Sequence, residues 1–226
     1  MPSAVKSRII VLHQTKYSDS SIILHAIDSA AGRVSFLVRV SKSGRRGYAD
    51  FHCLNILEAV SSSSPKSSLS YLREWEPVAT LSAIRSDMFK AAIAMFISEV
   101  LYRSLRSDSS EEGLFEWLCS VISKLETAGS GEGESIANFH LWFLASYCTR
   151  LGFEPMDNFE PKAIFSPQDL ALLQQIMTSP LEQTLNIPLS AQRRQAFSRT
   201  MLRYLAFHLD SEINIRSLDV LHDLFA

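Results

Sequence analysis

Five cations, Arg33, Arg39, Lys42, Arg45 and Arg46, fall within residues 29–49, a stretch with no Asp or Glu. Clustered cations free of neighbouring acid favour phosphates, because each contact releases condensed counterions. Gly44 and Gly47 lie in the same stretch, and a residue without a Cβ lets the backbone approach a phosphate closely. A solvated charged loop fits such a run equally well. Upstream, Lys16 stands beside Tyr17. That ring reads as a plug for one end of a barrel or as a platform for stacking a base.

A second cluster, Arg193, Arg194, Arg199 and Arg203, belongs to a late helical segment. Arg199 and Arg203 are four apart and share one helix face. Phe197, Met201, Tyr204, Leu205 and His208 define the other, buried side. An ordinary solvated face accounts for these arginines, and so does a pocket for an acidic, apolar peptide, which needs guanidinium donors next to apolar surface.

Other chemistry is hard to find. The six histidines show no metal-ligand spacing, and Cys53, Cys119 and Cys148 form no C-x-x-C pair. Zinc and disulfide frameworks are therefore unsupported, and three single thiols fit a reducing cytoplasm. There is no G-x-G-x-x-G after a strand, no phosphate-cradling G-x-x-x-x-G-K-[ST], no H-E-x-x-H and no G-x-S-x-G, so we expect no enzyme and no cofactor. Gly129, Gly131 and Gly133 follow a helix and read as a connector.

The net charge of −2 over 226 residues argues against a nucleic-acid binder until it is divided. Residues 1–80 hold ten Lys/Arg against six Asp/Glu, a balance of +4, and the remainder carries −6. Such asymmetry suggests two regions with different partners. With 46% hydrophobic and 20% charged residues the chain has a globular composition. Its longest apolar run, Ala91 to Ile97, is far short of the roughly 20 residues that span a bilayer.

The elements that would position these residues follow from periodicity. Arg8 to Leu12, Ser21 to Ile27, Arg33 to Val40, Phe51 to Val60 and Leu69 to Trp75 read as five strands. In the third, Val34, Phe36, Val38 and Val40 alternate with Arg33, Ser35, Leu37 and Arg39, which puts both arginines on the outer face. Five short strands suggest a small closed barrel, which has no open edge. Barrels of this kind bind single strands between the loop after the first strand and the loop before the fifth. Those loops read here as Gln14–Ser18 and Ser61–Ser68.

From residue 82 the period becomes helical. One helix is expected over 82–105 with Ile84, Met88, Ala91, Ala92, Met95 and Phe96 on one face, widened by Ile93, Ile97, Val100 and Leu101 into the arc of a central helix. Others are expected near 114–125, 136–151 with Gly152 as cap, through Met177 from an opening at Ser166-Pro167, 191–209 after Ser190, and 218–225. Residues 153–166 read as irregular. Strands first and helices after place a barrel domain at 1–80 and an all-helical domain at 81–226.

Several segments resemble the RecO family of bacterial DNA repair proteins. They are Ile10 to Ser20, Ile22 to Leu24, Gly32 to Arg39, Leu151-Gly152-Phe153-Glu154-Pro155, Arg199 to Tyr204 and Ile215 to Leu221. The resemblance implies an N-terminal OB-fold, a five-stranded β-barrel, followed by a helical domain. It also implies a recombination mediator that binds and anneals single-stranded DNA and, with RecR, helps load RecA onto strands coated by single-stranded DNA-binding protein (SSB). The helical domain would contact the acidic C-terminal tail of SSB. Lys16, Arg33, Arg39, Lys42, Arg45 and Arg46 would then face DNA, and Arg193, Arg194, Arg199 and Arg203 the protein partner. Many family members carry four zinc-binding cysteines after the L-G-F-x-P segment. Residues 156–165 contain none, so no zinc is expected. A protein-interaction adaptor whose barrel docks a protein rather than DNA is the alternative.

Overall fold

The computed structural model describes residues 4–39, 48–64, 67–106, 112–131, 135–153 and 164–226. β-Branched and aromatic side chains at alternate positions build five strands: β1 (Ala4–Ser18), β2 (Ser21–Asp28), β3 (Gly32–Arg39), β4 (Ile56–Ser64) and β5 (Ser67–Pro77). They close into a barrel in the order β1-β2-β3-β5-β4. Closure depends on β1, whose first part pairs with β4 (Ala4↔Ser62 to Ile10↔Ile56) and whose second part pairs with β2 (Ile9↔Asp28 to Ser18↔Ser21). An irregularity between Val11 and His13 marks the bend that lets one strand serve both neighbours.

The inward set is the one alternation predicts. Ile9, Val11, Ile22, Leu24, Ala26, Phe36, Val38, Leu57, Ala59, Leu72 and Trp75 form one buried cluster. Burying each large side chain contributes about 1.5–3 kcal/mol.

Several strand boundaries differ from the sequence expectation. Gln14–Ser18, expected as a loop, is the outer part of β1, held by pairing to β2. Ser61–Ser64 and Ser67–Ser68, also expected as loop, pair with each other and along β5, because backbone ladders hold where serine propensity alone does not. Residues 51–55 are not strand. A single 3₁₀ turn (Tyr48–Phe51) sends Phe51 into the barrel, 5.0 Å from the Trp75 ring, and Leu54 takes a left-handed backbone (φ 63°). The Trp75 indole donates to Asp50 at 3.1 Å.

The helices are α1 (Ser82–Ser86), α2 (Met88–Ser104), α3 (Leu114–Thr127), α4 (Phe139–Arg150), α5 (Pro167–Thr178), α6 (Leu181–Leu185), α7 (Ala191–His208) and α8 (Ser217–Leu224). The single helix expected over 82–105 is broken at Asp87. Its carboxylate accepts from the Phe89 and Lys90 amides at 2.8 and 3.3 Å, and so begins α2 afresh. Of the wide apolar arc expected there, Ile93, Phe96, Ile97, Val100 and Leu101 are enclosed, whereas Met88 and Met95 are exposed.

Two compact units result, residues 1–82 with 105–122, and residues 83–104 with 123–226. In the first, the start of α3 lies on the barrel. The Arg8 guanidinium pairs with Glu116 and sits 5.1 Å above the Phe115 ring. In the second, Glu126 accepts from the Ala83 and Ile84 amides at 2.8 and 2.9 Å, satisfying the start of α1.

Candidate nucleic-acid interface

Strand register decides which cations stand together. Lys16 pairs with Ile22 and Ile22 with Val38; Ser18 pairs with Ser21 and Ser21 with Arg39. Lys16 and Arg39 therefore lie at one end of the β1–β2–β3 sheet, both exposed, with Lys16 on the parity of the inward Ile22 and Arg39 on the outward one. Lys16 meets Asp19 at 3.4 Å, with both side chains largely in water, where such a pair contributes little. Tyr17 is 63% exposed, so it does not plug the barrel. Lys42, Arg45 and Arg46 lie outside the described residues, in the segment that continues from Arg39.

Arg33 is elsewhere. It pairs with Ile27 at the opposite end of β3, and six residues of strand separate it from Arg39 by about 20 Å. Its guanidinium donates to the carbonyl of Leu105. Arg33 and Arg39 share the outward parity expected of them, but not a location.

The outward positions between these ends carry side chains that charge-based reading passed over. His13 pairs with His25 and His25 with Ser35; Thr15 pairs with Ile23, Ile23 with Leu37 and Leu37 with Tyr71. The two imidazoles lie nearly parallel, 6.0 Å apart. His25 Nδ1 is 2.8 Å from the Ser35 hydroxyl. Burial, then His13 and Arg33, lower the His25 pKa to about 4, so this ring is neutral at ordinary pH. Arg73 sits 5.1 Å over the Tyr71 ring while its Nε donates to Ser62 at 2.9 Å. The signal was present in the sequence as period-two spacing of His25 with Ile23 and of Arg73 with Tyr71.

The late arginines divide into two pairs. Arg193 binds Asp169 at 2.6 Å. Burial alone would raise the Asp169 carboxyl, but hydrogen bonds from Arg193 and Ser166, with the guanidinium charge, hold it below the usual carboxylate range. Arg194 donates to the carbonyls of Leu189 and Phe225, each at 2.6 Å. Arg199 and Arg203 are exposed one turn apart, with Arg199 reaching Asp219 at 3.3 Å.

No group of three His, Cys, Asp or Glu that could hold a metal occurs among the described residues. The three cysteines are free, and burial pushes the Cys148 thiol up to about 12. The zinc-ligand pattern of the resemblance does not fit residues 156–165, which lack cysteine. Among the described residues no helix is long and apolar enough to cross a membrane.

Comparison with known proteins gives one family. Residues 1–81 match the model described as Recombination protein O N terminal, and residues 85–156 match Recombination protein O C terminal. The chain is 30% identical to the DNA repair protein RecO of Bacteroides fragilis, over 96% of this chain and 97% of that protein. It is likewise 30% identical to the RecO of Porphyromonas gingivalis and 27% identical to that of Flavobacterium psychrophilum, each over 98% of this chain and 99% of the relative. A five-stranded barrel followed by helices, with matches to both halves of one family in order and along nearly the whole chain, makes this protein a member of the RecO family of DNA repair proteins.

Proposed function

We propose that the protein is a recombination mediator, working in the cytoplasm, that binds and anneals single-stranded DNA on its barrel. With RecR it helps load RecA onto SSB-coated strands. The observation that carries this reading is the exposed barrel end that holds both Lys16 and Arg39, with the acid-free run of Lys42, Arg45 and Arg46 following Arg39 in sequence. Phosphates favour that end through counterion release. The barrel is the DNA domain in this reading, and the helical residues from 81 onward serve protein partners without a catalytic step.

Binding of a single-stranded oligonucleotide, followed across salt concentration, tests it. Lys16→Ala/Arg39→Ala should flatten the slope of log K against log salt by about 1.4, at roughly 0.7 for each phosphate contact. Arg33→Ala should leave the slope as it was, because that guanidinium is held at the far end by Leu105. A wild-type slope in the double variant moves the site away from this end. A wild-type protein that binds no strand favours the protein-docking adaptor.

The same reading places the acidic tail of SSB on α7. Arg193 and Arg194 are engaged within the fold, and Arg199 meets Asp219 only in a solvent-exposed pair, so Arg199 and Arg203 are the pair offered to the tail. Arg199→Glu/Arg203→Glu should weaken a labelled tail peptide about tenfold or more, the loss of one charge-assisted hydrogen bond. Unaltered affinity would put the tail on another face.

A further inference from the structure

Three helices of the second unit share one small recess of about 10 Å³. His140 lines it from α4, Arg194 and Gln195 from α7, His222 from α8, and Phe225 from the residue after α8. The Arg194 guanidinium donates to the carbonyls of Leu189 and Phe225, each at 2.6 Å. The Gln195 side chain donates to Asp219 at 3.3 Å. Both α7 side chains therefore have partners within the fold.

The two histidines differ. Nδ1 of His140 and Nδ1 of His222 are both buried and make no hydrogen bond within the chain. His140 is only 3% exposed, so bulk water does not reach its ring. A buried imidazole nitrogen has given up its hydration, and without a partner nothing offsets that loss. Buried polar atoms in folded proteins find that partner either in a neighbouring group or in an ordered water. Two such atoms lining one recess, from helices far apart in sequence, call for one group that serves both.

We propose that the recess is a binding site for a single water molecule, which bridges Nδ1 of His140 and Nδ1 of His222 and so links α4 to α8. A recess of roughly 10–15 Å³ with at least two polar partners holds one water and nothing larger. The partners also select water over an ion. A neutral imidazole has an N–H on one nitrogen and a lone pair on the other. Water donates to a lone pair and accepts from an N–H, so it fits either tautomer of each ring. An anion fits only where both Nδ1 atoms carry protons, and a cation would lie beside the Arg194 guanidinium. Burial holds the His140 ring neutral, with a pKa of about 3, so that ring offers an anion no charge. Arg194 fixes the Phe225 carbonyl, which ties down one wall of the recess and slows exchange of the water. The site is independent of the mediator reading.

A crystal structure of the wild-type protein, at a resolution that shows ordered water, tests the occupant directly. One spherical peak should lie within about 2.7–3.2 Å of both Nδ1 atoms. An empty recess overturns the proposal. So does an anomalous peak at that position in a bromide-soaked crystal, which would make the occupant an anion. In solution, oxygen-17 relaxation dispersion counts internal waters that exchange slowly. His222→Phe removes Nδ1 and fills the recess with a ring, so the count should fall by one relative to wild type. His222→Leu should give the same loss, because an apolar wall leaves the water too few partners. Thermal unfolding shows which of the two variants is folded, and an unchanged count in a folded one overturns the bridge. Where neither folds, the wild-type crystal still decides.

Discussion

His140 lies fully enclosed on α4, edge-on to Phe96 with ring centroids 5.6 Å apart. Burial, and behind it the charge of Arg194, lowers its pKa from 6.5 to about 3. The folded protein therefore holds this ring neutral, while the unfolded chain takes up a proton below pH 6.5. Stability from His140 is complete above pH 6.5 and is lost as pH falls toward 3, by about 2 kcal/mol at pH 5. His25, neutral in the fold down to about pH 4, works in the same direction, weakened by its partial exposure. Urea unfolding at pH 7 and pH 5 should thus show a drop that His140→Gln largely reduces; an undiminished drop in the variant would assign it to other groups. Asp169 has a depressed pKa instead, so its contribution is present above about pH 4 and is lost only at lower pH. The arginines make the same point about individual side chains: Arg33, Arg193 and Arg194 look like surface cations by type, yet each is committed to a partner inside its own unit.

The helices begin and end for local chemical reasons. Ser166 and Asp169 form a reciprocal capping box with Pro167 in the first turn of α5, and the Ser190 hydroxyl accepts from the Arg193 amide to start α7. At the end of α4 Gly152 takes φ +78°, and the amides of Gly152 and Phe153 return to the carbonyls of Thr149 and Cys148 at 3.0 and 2.9 Å. This pairing closes the helix where a left-handed residue is required. Asn138, just before α4, acts between elements. Its buried side-chain amide donates to the carbonyls of Thr184 at 3.1 Å and Ile187 at 2.8 Å, fixing α6 against α4. Asn138→Ala leaves those carbonyls without this donor and should cost about 1–3 kcal/mol in thermal or urea unfolding. A loss within a few tenths would mean that water replaces the amide there.

Across the molecule, the sequence carried a good part of the architecture. Period-two alternation from Val34 to Val38 sorted Phe36 and Val38 inward and Leu37 and Arg39 outward, and the structure keeps that sorting. Ser166, Ser190 and Gly152 marked helix ends that are observed. The break at Asp87 was less legible, because the apolar pattern runs through it without interruption. The serines at 61–64 and 67–68 were read as loop on propensity, whereas ladder pairing with a neighbouring strand makes them sheet. Charge division, the strand-to-helix change and the family resemblance were all available from residue order alone. Which cations stand together was not. Strand parity is imposed by the covalent chain, so it can be read from spacing of two. Coverage of a sheet face depends on residues such as Leu105 and Phe115, some 70 to 100 positions away in sequence. Tertiary structure therefore decided that Arg33 is held at one end while Lys16 and Arg39 are exposed at the other. It also decided that the rings between them share one open surface, because register brings together side chains from β1, β2, β3 and β5 that no local pattern connects.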